Sequence, residues 1–400
     1  MDLKEIAEDL GIGQYPAQMD AIYAKFSKTG ADACDLTLID RLQAEYDLFE
    51  EFYDLVKAAA VALNADPARS AWIKTATRYA MEVDTEQACT VPMPLSDGTV
   101  AGDFLPLFVL LPQIPASIDS YNSRGFSRQE LDVLLTAYKG GIRIVESQTG
   151  RPGINQAYYD WLTIFAKAEI FYALGLQFQL YRLPEQALWL WNRQTKQLVP
   201  LMLMGKFHAS GVQCVGSKGY EDEEGAFIPE FSEDEGNFYG HGVFDNVVSP
   251  KKQTFPKNIW ECVGRPGEAC LNIHVPRGSD ISRETVLTAC KAAMKRTAQQ
   301  FPEAYATRLV LGISWLLNPT LRQIQGENAK TTQFMECFTK FPRKDPAGRS
   351  VFSFVFGKQY DNYEDLPEDT SLQRKLKKLY LDGSCLHSYT GAIYVEEEIL

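Results

Sequence analysis

The segment Leu271–Asn318, LNIHVPRGSDISRETVLTACKAAMKRTAQQFPEAYATRLVLGISWLLN, limits the possible folds more than any other part of the chain. A short apolar strand runs into a Pro-Arg-Gly-Ser-Asp turn. The turn opens a helix of about four turns, and a second apolar strand leads to Ser-Trp-Leu-Leu-Asn-Pro. Strands Ala269–Val275 and Arg308–Ser314 are therefore expected as parallel neighbours, joined by a helix that starts near Ser282. A turn that feeds a helix N-terminus presents backbone N–H groups and the positive end of the helix dipole, which suits phosphate. Arg277 and Ser279 would add side-chain donors there, or the Pro276–Asp280 turn simply caps its helix.

Both strands alternate. Leu271, Ile273 and Val275 face one way and belong under the helix, which sends Cys270, Asn272 and His274 to the other face. In the second strand Leu309, Leu311, Ile313 and Trp315 form one row, and Val310, Gly312 and Ser314 form the other. Glycine within a strand often marks close approach of a ligand or of backbone. The expectation is a cleft in which His274 meets Asn272, Gly312 and Ser314, with the Pro276–Asp280 turn at one end. His274 is then a proton acceptor or a hydrogen-bonded structural histidine. Ser314 is a site group or a partner for nearby backbone. The cluster His387-Ser388-Tyr389-Thr390-Gly391 is a turn or a second place for proton transfer.

The hydrophobic period divides the chain. Residues 1–175 repeat at helical spacing, with helices over Leu36–Leu63, Ser70–Met81, Arg128–Ser147 and Tyr158–Leu174, the last ending at Gly175. Pro112 and Pro115 break the apolar stretch Leu105–Ser120. From 176 to 400 the period becomes two. Strands are expected at Leu176–Tyr181, Ala187–Trp191 and Lys196–Met204, then at Ile259–Val263 and Ala269–Val275, joined as a hairpin by Arg265-Pro266-Gly267-Glu268. Further strands are read near Thr332–Phe341, Val351–Gly357 and Ala392–Val395, and helices at Thr320–Gln325 and Ser371–Leu381. Residues 207–256 form an irregular acidic insertion with eight acids between Glu221 and Glu235. Without EF-hand spacing it reads as a solvated loop rather than a calcium site.

The net charge of −12 is uneven. Residues 1–175 carry 14 Lys and Arg against 25 Asp and Glu, whereas residues 176–400 carry 26 against 27. An acidic half argues against nucleic acid as a partner. The eight cysteines and four histidines show no metal-ligand spacing, so free thiols and no metal are expected. The runs Phe104–Leu111 and Leu309–Leu317 are too short to cross a bilayer. No signal-peptide pattern opens the chain, and a cytoplasmic protein with no membrane partner is expected.

Three stretches of the second half, LNIHVPRG, SWLLNP and LPEDTSLQRKLKKLYLDGSCLHSYTGAIYV, resemble the C-terminal domain of bacterial acyltransferase domain-containing proteins. FLPLFVLLPQIPASIDSYNSRGFSRQELDVLLTAYKGGIRIVESQTGRPG and WLTIFAKAEIFYALGLQFQLYRLP resemble their helical N-acyltransferase N-terminal domain. The resemblance implies an α+β protein: an all-helical domain over 1–175, then a GNAT-like mixed α/β domain over 176–400. It implies transfer of an acyl group from acyl-CoA, as donor substrate, to an amine acceptor, both small molecules. Strand Cys270–Val275 would then pair with the pantetheine arm and the Pro276–Asp280 turn would hold the pyrophosphate. The candidates are His274, Ser314 and Tyr389 for catalysis, and Asn272, Val275, Arg277, Gly278, Ser279 and Gly312 for the cofactor. Of the superfamily's usual phosphate turn, Gln/Arg-x-x-Gly-x-Gly/Ala, only Arg277 and Gly278 remain, in another register. Two alternatives therefore stay open: a binding protein that kept the fold without the chemistry, and an acyltransferase fed by an acyl carrier protein.

Overall fold

The computed structural model describes residues 1–26, 32–214, 224–343 and 346–396. Acids Glu221–Glu223 of the insertion lie outside the described residues. The chain divides into two compact units, Met1–Ile170 and Phe171–Leu400.

The first unit is helical through Ala166. Its described helices are α1 (Leu3–Asp9), α2 (Gln18–Phe26), α3 (Leu36–Tyr46), α4 (Tyr53–Ala65), α5 (Pro67–Glu82), α6 (Thr85–Ala88), α7 (Val100–Leu110), α8 (Ile114–Ser123), α9 (Arg128–Thr149) and α10 (Gln156–Ala166). Local chemistry sets their ends. Ser127 and Glu130 form a reciprocal capping box at the start of α9, and Gly150 closes it in the left-handed region at φ 77°. Asp66 caps α5 with Pro67 in its first turn. The long stretch read as Leu36–Leu63 breaks at Asp47, φ 48°, into α3 and α4. The proline-rich stretch breaks as expected, with a 3₁₀ turn at Leu111–Gln113 between α7 and α8. Together Val100–Ser123 is long and apolar enough to cross a membrane by length and composition, and 72% of that window is buried within the protein. It is longer than the run Phe104–Leu111 suggested.

The expected helix Tyr158–Leu174 is corrected. It stops at Ala166, Ala168 turns at φ 54°, and Ile170–Ala173 is a strand. A run apolar at nearly every position has neither period, so sequence alone does not separate buried helix from buried strand. Gly153, in the loop between α9 and α10, packs against α7: a Cβ there would lie 2.5 Å from the Asp103 carbonyl oxygen. Gly153→Ala is expected to lower unfolding free energy by about 1–3 kcal/mol, read by chemical denaturation.

Among the described residues the second unit contains two sheets. In chain order its elements are β1 (Ile170–Ala173), β2 (Leu176–Arg182), β3 (Ala187–Asn192), β4 (Leu198–Met202), β5 (Ser232–Glu233), β6 (Asn237–Phe244), β7 (Val247–Val248), β8 (Gln253–Pro256), β9 (Trp260–Gly264), β10 (Ala269–His274), α11 (Arg283–Gln300), β11 (Leu309–Ser314), α12 (Thr320–Gln325), α13 (Lys330–Glu336), β12 (Thr339–Pro342), α14 (Phe352–Val355), α15 (Ser371–Leu381) and β13 (Tyr389–Tyr394). One sheet has the order β1-β2-β10-β11-β13-β12; the other runs β5-β6-β4-β3-β9, with β7 and β8 paired to β6. Cys270, Leu309, Leu311, Phe341 and Ala392 of the first sheet pack with Trp189, Trp191, Leu198 and Met202 of the second in one buried core.

Four further expectations change. The stretch 207–256, read as irregular, carries β5, β6, β7 and β8. Arg265–Glu268 is a turn, with Gly267 at φ 81° and Glu268 N–H donating to the Arg265 carbonyl at 3.1 Å. It is not a hairpin: β9 pairs with β3 in one sheet, and β10 pairs with β2 and β11 in the other. The turn carries the chain between sheets. The stretch read as strand Thr332–Phe341 is α13 followed by β12, and Val351–Gly357 is the end of a 3₁₀ turn and α14. Aromatic content gave both a strand-like composition, but their phenylalanines pack in helix-spaced pairs, Phe334 on Phe338 and Phe352 on Phe356.

Candidate active site

The parallel pair is present. β10 and β11 align Leu271 with Val310 and Asn272 with Leu311, and α11 connects them after Ser282. The β10–β11 ladder stops at Asn272 and Leu311. Each strand nevertheless continues, β10 to His274 against β2 and β11 to Ser314 against β13. The facing edges beyond Asn272 and Leu311 are thus unbridged, which opens the sheet between its two parallel strands.

Helix α11 covers the face of Leu271 and Ile273. Phe178 sits opposite Ile273, stacks on Phe171, and Phe171 stacks on Phe301 beyond α11 while Arg296 of α11 lies over its ring. Asn272 and His274 therefore face the other way, as the alternation requires. On that face β2 contributes Gln179 opposite Asn272 and Gln177 opposite His274. His274 Nε2 lies 3.0 Å from Gln179 Oε1 and 3.3 Å from Asn272 Nδ2. Gln177 Nε2 donates to the Tyr172 hydroxyl at 2.6 Å. Burial pushes the His274 pKa down to about 4, so the imidazole is neutral at pH 7. Asn272 is 6% exposed, and its Oδ1 is buried without a hydrogen-bond partner.

Gly312 and Ser314 do not line this face. Asn272 aligns with Leu311, so Gly312 and Ser314 lie on the α11 side of the sheet. A Cβ on Gly312 would sit 3.0 Å from the Phe338 ring and 3.3 Å from Leu317, and the paired Gly391 meets the same two side chains. The glycines make room for side-chain packing. Gly312→Ala is expected to cost about 1–2 kcal/mol of stability, read by chemical denaturation. Ser314 Oγ accepts the Leu316 N–H at 3.1 Å and caps the 3₁₀ turn Trp315–Leu317. Tyr389 is buried opposite Ser314 and Pro342, so it too is on the face away from His274. Its cluster is the start of β13, preceded by a buried contact of 2.9 Å between Cys385 Sγ and His387 Nε2.

Val275 follows the end of β10, and the Pro276–Asp280 turn follows it. Gly278 takes φ 86°, Ser279 N–H donates to the Pro276 carbonyl at 3.1 Å, and Ser279 Oγ anchors the turn to the Gly175 carbonyl at 2.8 Å. Arg277 is exposed. Asp280 accepts from Thr285 Oγ1 at 2.6 Å, Lys330 Nζ at 2.9 Å and Ser282 Oγ at 2.9 Å. These bonds, Thr285's first, hold its carboxyl well below the usual range. Ser282 makes no side-chain cap, which leaves the first turn of α11 without a capping oxygen. Among the described residues no three His, Cys, Asp or Glu side chains gather to hold a metal, and all eight cysteines are free.

Sequence reasoning missed Gln177, Gln179 and Tyr172. The signal was available: in LQFQLYR the two glutamines alternate with Leu176, Phe178 and Leu180, which puts them on one face.

The family model described as the GNAT-like C-terminal domain matches residues 171–393. The chain belongs to that family. The GNAT-like domain thus coincides with the two-sheet unit and contains the opened strand pair. No curated protein matches by sequence. Among solved structures, the whole chain is similar in fold to an acyltransferase in complex with CoA and 10C-teicoplanin, at 17% identity and TM-score 0.67 over 99% of this chain and 100% of that one. A mutant acyltransferase in complex with octanoyl-CoA gives the same values. An acyltransferase in complex with decanoyl-CoA gives 16% identity and TM-score 0.66 over the same shares. At such identity the likeness speaks for the fold.

Proposed function

We propose that this chain is an N-acyltransferase that moves an acyl group from acyl-CoA to an amine. The observation that carries the reading is the gap between β10 and β11 with a neutral imidazole beside it. In this reading the unbridged backbone edges receive the pantetheine arm and polarise the thioester carbonyl. The amine attacks the carbonyl carbon, its nitrogen loses a proton to His274, and the CoA thiolate leaves. Asn272 and Val275 flank the reacting end. Arg277, Gly278, Ser279 and the uncapped first turn of α11 lie where the phosphates of CoA would follow. Gly312, Ser314 and Tyr389 take no part, because the sheet separates them from His274, and the thiolate leaves without an assigned acid. The acyltransferases of similar fold, solved with CoA, octanoyl-CoA and decanoyl-CoA, support an acyl-CoA donor. Teicoplanin beside such a donor in one of them supports a small-molecule acceptor. We place the protein in the cytoplasm, where eight free thiols stay reduced, and assign the helical unit as the N-acyltransferase N-terminal domain.

The test is thermal unfolding with CoA, octanoyl-CoA and decanoyl-CoA. A donor at a hundred times its dissociation constant should add about 2.7 kcal/mol of stability. No shift with any of the three would remove acyl-CoA from the reading. One observation favours a second reading. The Asp280 carboxylate stands in the turn assigned to the pyrophosphate, and a donor carried by a protein brings pantetheine without that diphosphate. Acylated carrier protein turned over faster than acyl-CoA would select it.

A further inference from the structure

The Asp280 carboxylate lies against the start of α11. Its Oδ1 accepts the Lys330 ammonium at 2.9 Å and the Ser282 N–H at 3.2 Å, and its Oδ2 accepts the hydroxyls of Thr285 at 2.6 Å and Ser282 at 2.9 Å. Ser282 is the N-cap residue of α11 and Thr285 stands in its first turn, so the helix start already holds an anion that belongs to the chain. The dipole of a helix of 18 residues favours negative charge at this end. Ser279 Oγ ties the same turn to the Gly175 carbonyl at 2.8 Å, which fixes the backbone that carries Asp280. Exposed Arg277, Arg283 and Glu284 flank it in sequence, two cations and one further anion. The Asp280 side chain is 47% exposed, so an incoming phosphate meets its charge directly rather than through protein.

We propose that Asp280 determines donor specificity at this turn: it lowers the affinity for thioesters that bring a diphosphate and leaves uncharged pantetheine thioesters unaffected. This rests on the reading in which the pantetheine arm enters the gap beyond Asn272 and Leu311 and the rest of the donor passes the Pro276–Asp280 turn. A diphosphate there must share the α11 start with a fixed carboxylate. Like charges about 5 Å apart at a protein surface repel by an amount that corresponds to roughly tenfold in dissociation constant. Lys330 works against this repulsion, because its ammonium on Oδ1 cancels part of the carboxylate's field. Asp280→Asn keeps an acceptor oxygen for the Ser282 and Thr285 donors, removes the charge and leaves the Lys330 ammonium for a phosphate. A carboxylate that only braced the turn would give the opposite sign, since its loss would loosen the turn and weaken the donor's hold.

The experiment is calorimetric titration of the full chain with octanoyl-CoA and with S-octanoyl-pantetheine, which carries the same thioester and no phosphate. Asp280→Asn is expected to tighten octanoyl-CoA roughly tenfold, less at high salt. Lys330→Met is expected to weaken it, and the dissociation constant of S-octanoyl-pantetheine should stay in place in both variants. Octanoyl-CoA bound equally or more weakly by Asp280→Asn overturns the proposal. Equal tightening of both ligands overturns it too, because the effect would then not come from phosphate. If Asp280→Asn fails to fold, Lys330→Met decides: weaker octanoyl-CoA with unchanged S-octanoyl-pantetheine supports the proposal, and no change overturns it. Absence of binding by either ligand, in the wild type and both variants alike, overturns the donor reading and the proposal with it.

Discussion

Replacing His274 with alanine is expected to lower turnover of acyl-CoA and amine by roughly 10²- to 10⁴-fold, the range for loss of a general base. Donor binding should change little, because in the proposed reading the pantetheine arm pairs with the backbone edges left unbridged beyond Asn272 and Leu311. Release of CoA thiol from octanoyl-CoA gives the rate, and calorimetric titration gives the affinity. Undiminished turnover in His274→Ala would eliminate the base assignment. Affinity lost together with turnover would make the histidine a structural member of the row with Gln179 and Asn272.

The second large effect is on stability. Burial lowers the His274 pKa from 6.5 to about 4. Between those values the unfolded chain binds more protons at this ring than the folded one, so protons favour unfolding. Stability from this group is complete above pH 6.5 and is lost as pH falls toward 4. The loss is on the order of 3 kcal/mol if the ring stays as dry as its surroundings imply. Carboxylates titrate in part of this window as well, so the comparison that isolates the ring is wild type against His274→Gln. Denaturation series across the window should show a steeper acid loss in the wild type. Parallel curves would mean that water reaches the imidazole and that its pKa is not held down.

The period of the hydrophobic residues carried much of the fold. Leu271 and Ile273 were placed under α11 correctly, and His274 was sent to the other face, because alternation within one strand is a local property. What alternation cannot carry is the parity between two strands. β11 is apolar on both faces, as a central parallel strand is, so nothing in RLVLGIS says whether Leu311 or Gly312 shares a face with Asn272. That depends on the register with β10, and the wrong choice brought Gly312 and Ser314 into a cleft that they do not line. The hairpin failed for a related reason. Arg265-Pro266-Gly267-Glu268 specifies a turn, but not whether the next strand returns to its predecessor or leaves for another sheet. Gln179 was readable as polar and inward, yet its partner lies 95 residues away.

Strand β13 follows every other described strand, yet it lies between β11 and β12. During synthesis, which proceeds from the N-terminus, the two strands that will flank it emerge first and wait with open edges. The space between them can be closed only by a strand made after both. The GNAT-like sheet therefore completes only after Tyr394 has been made, and until then Leu309–Ser314 is a template for whichever strand arrives first. A chain cut before Tyr389 would keep two adhesive edges in place of a closed one, so aggregation rather than simple loss of activity is the expected fate of such a fragment.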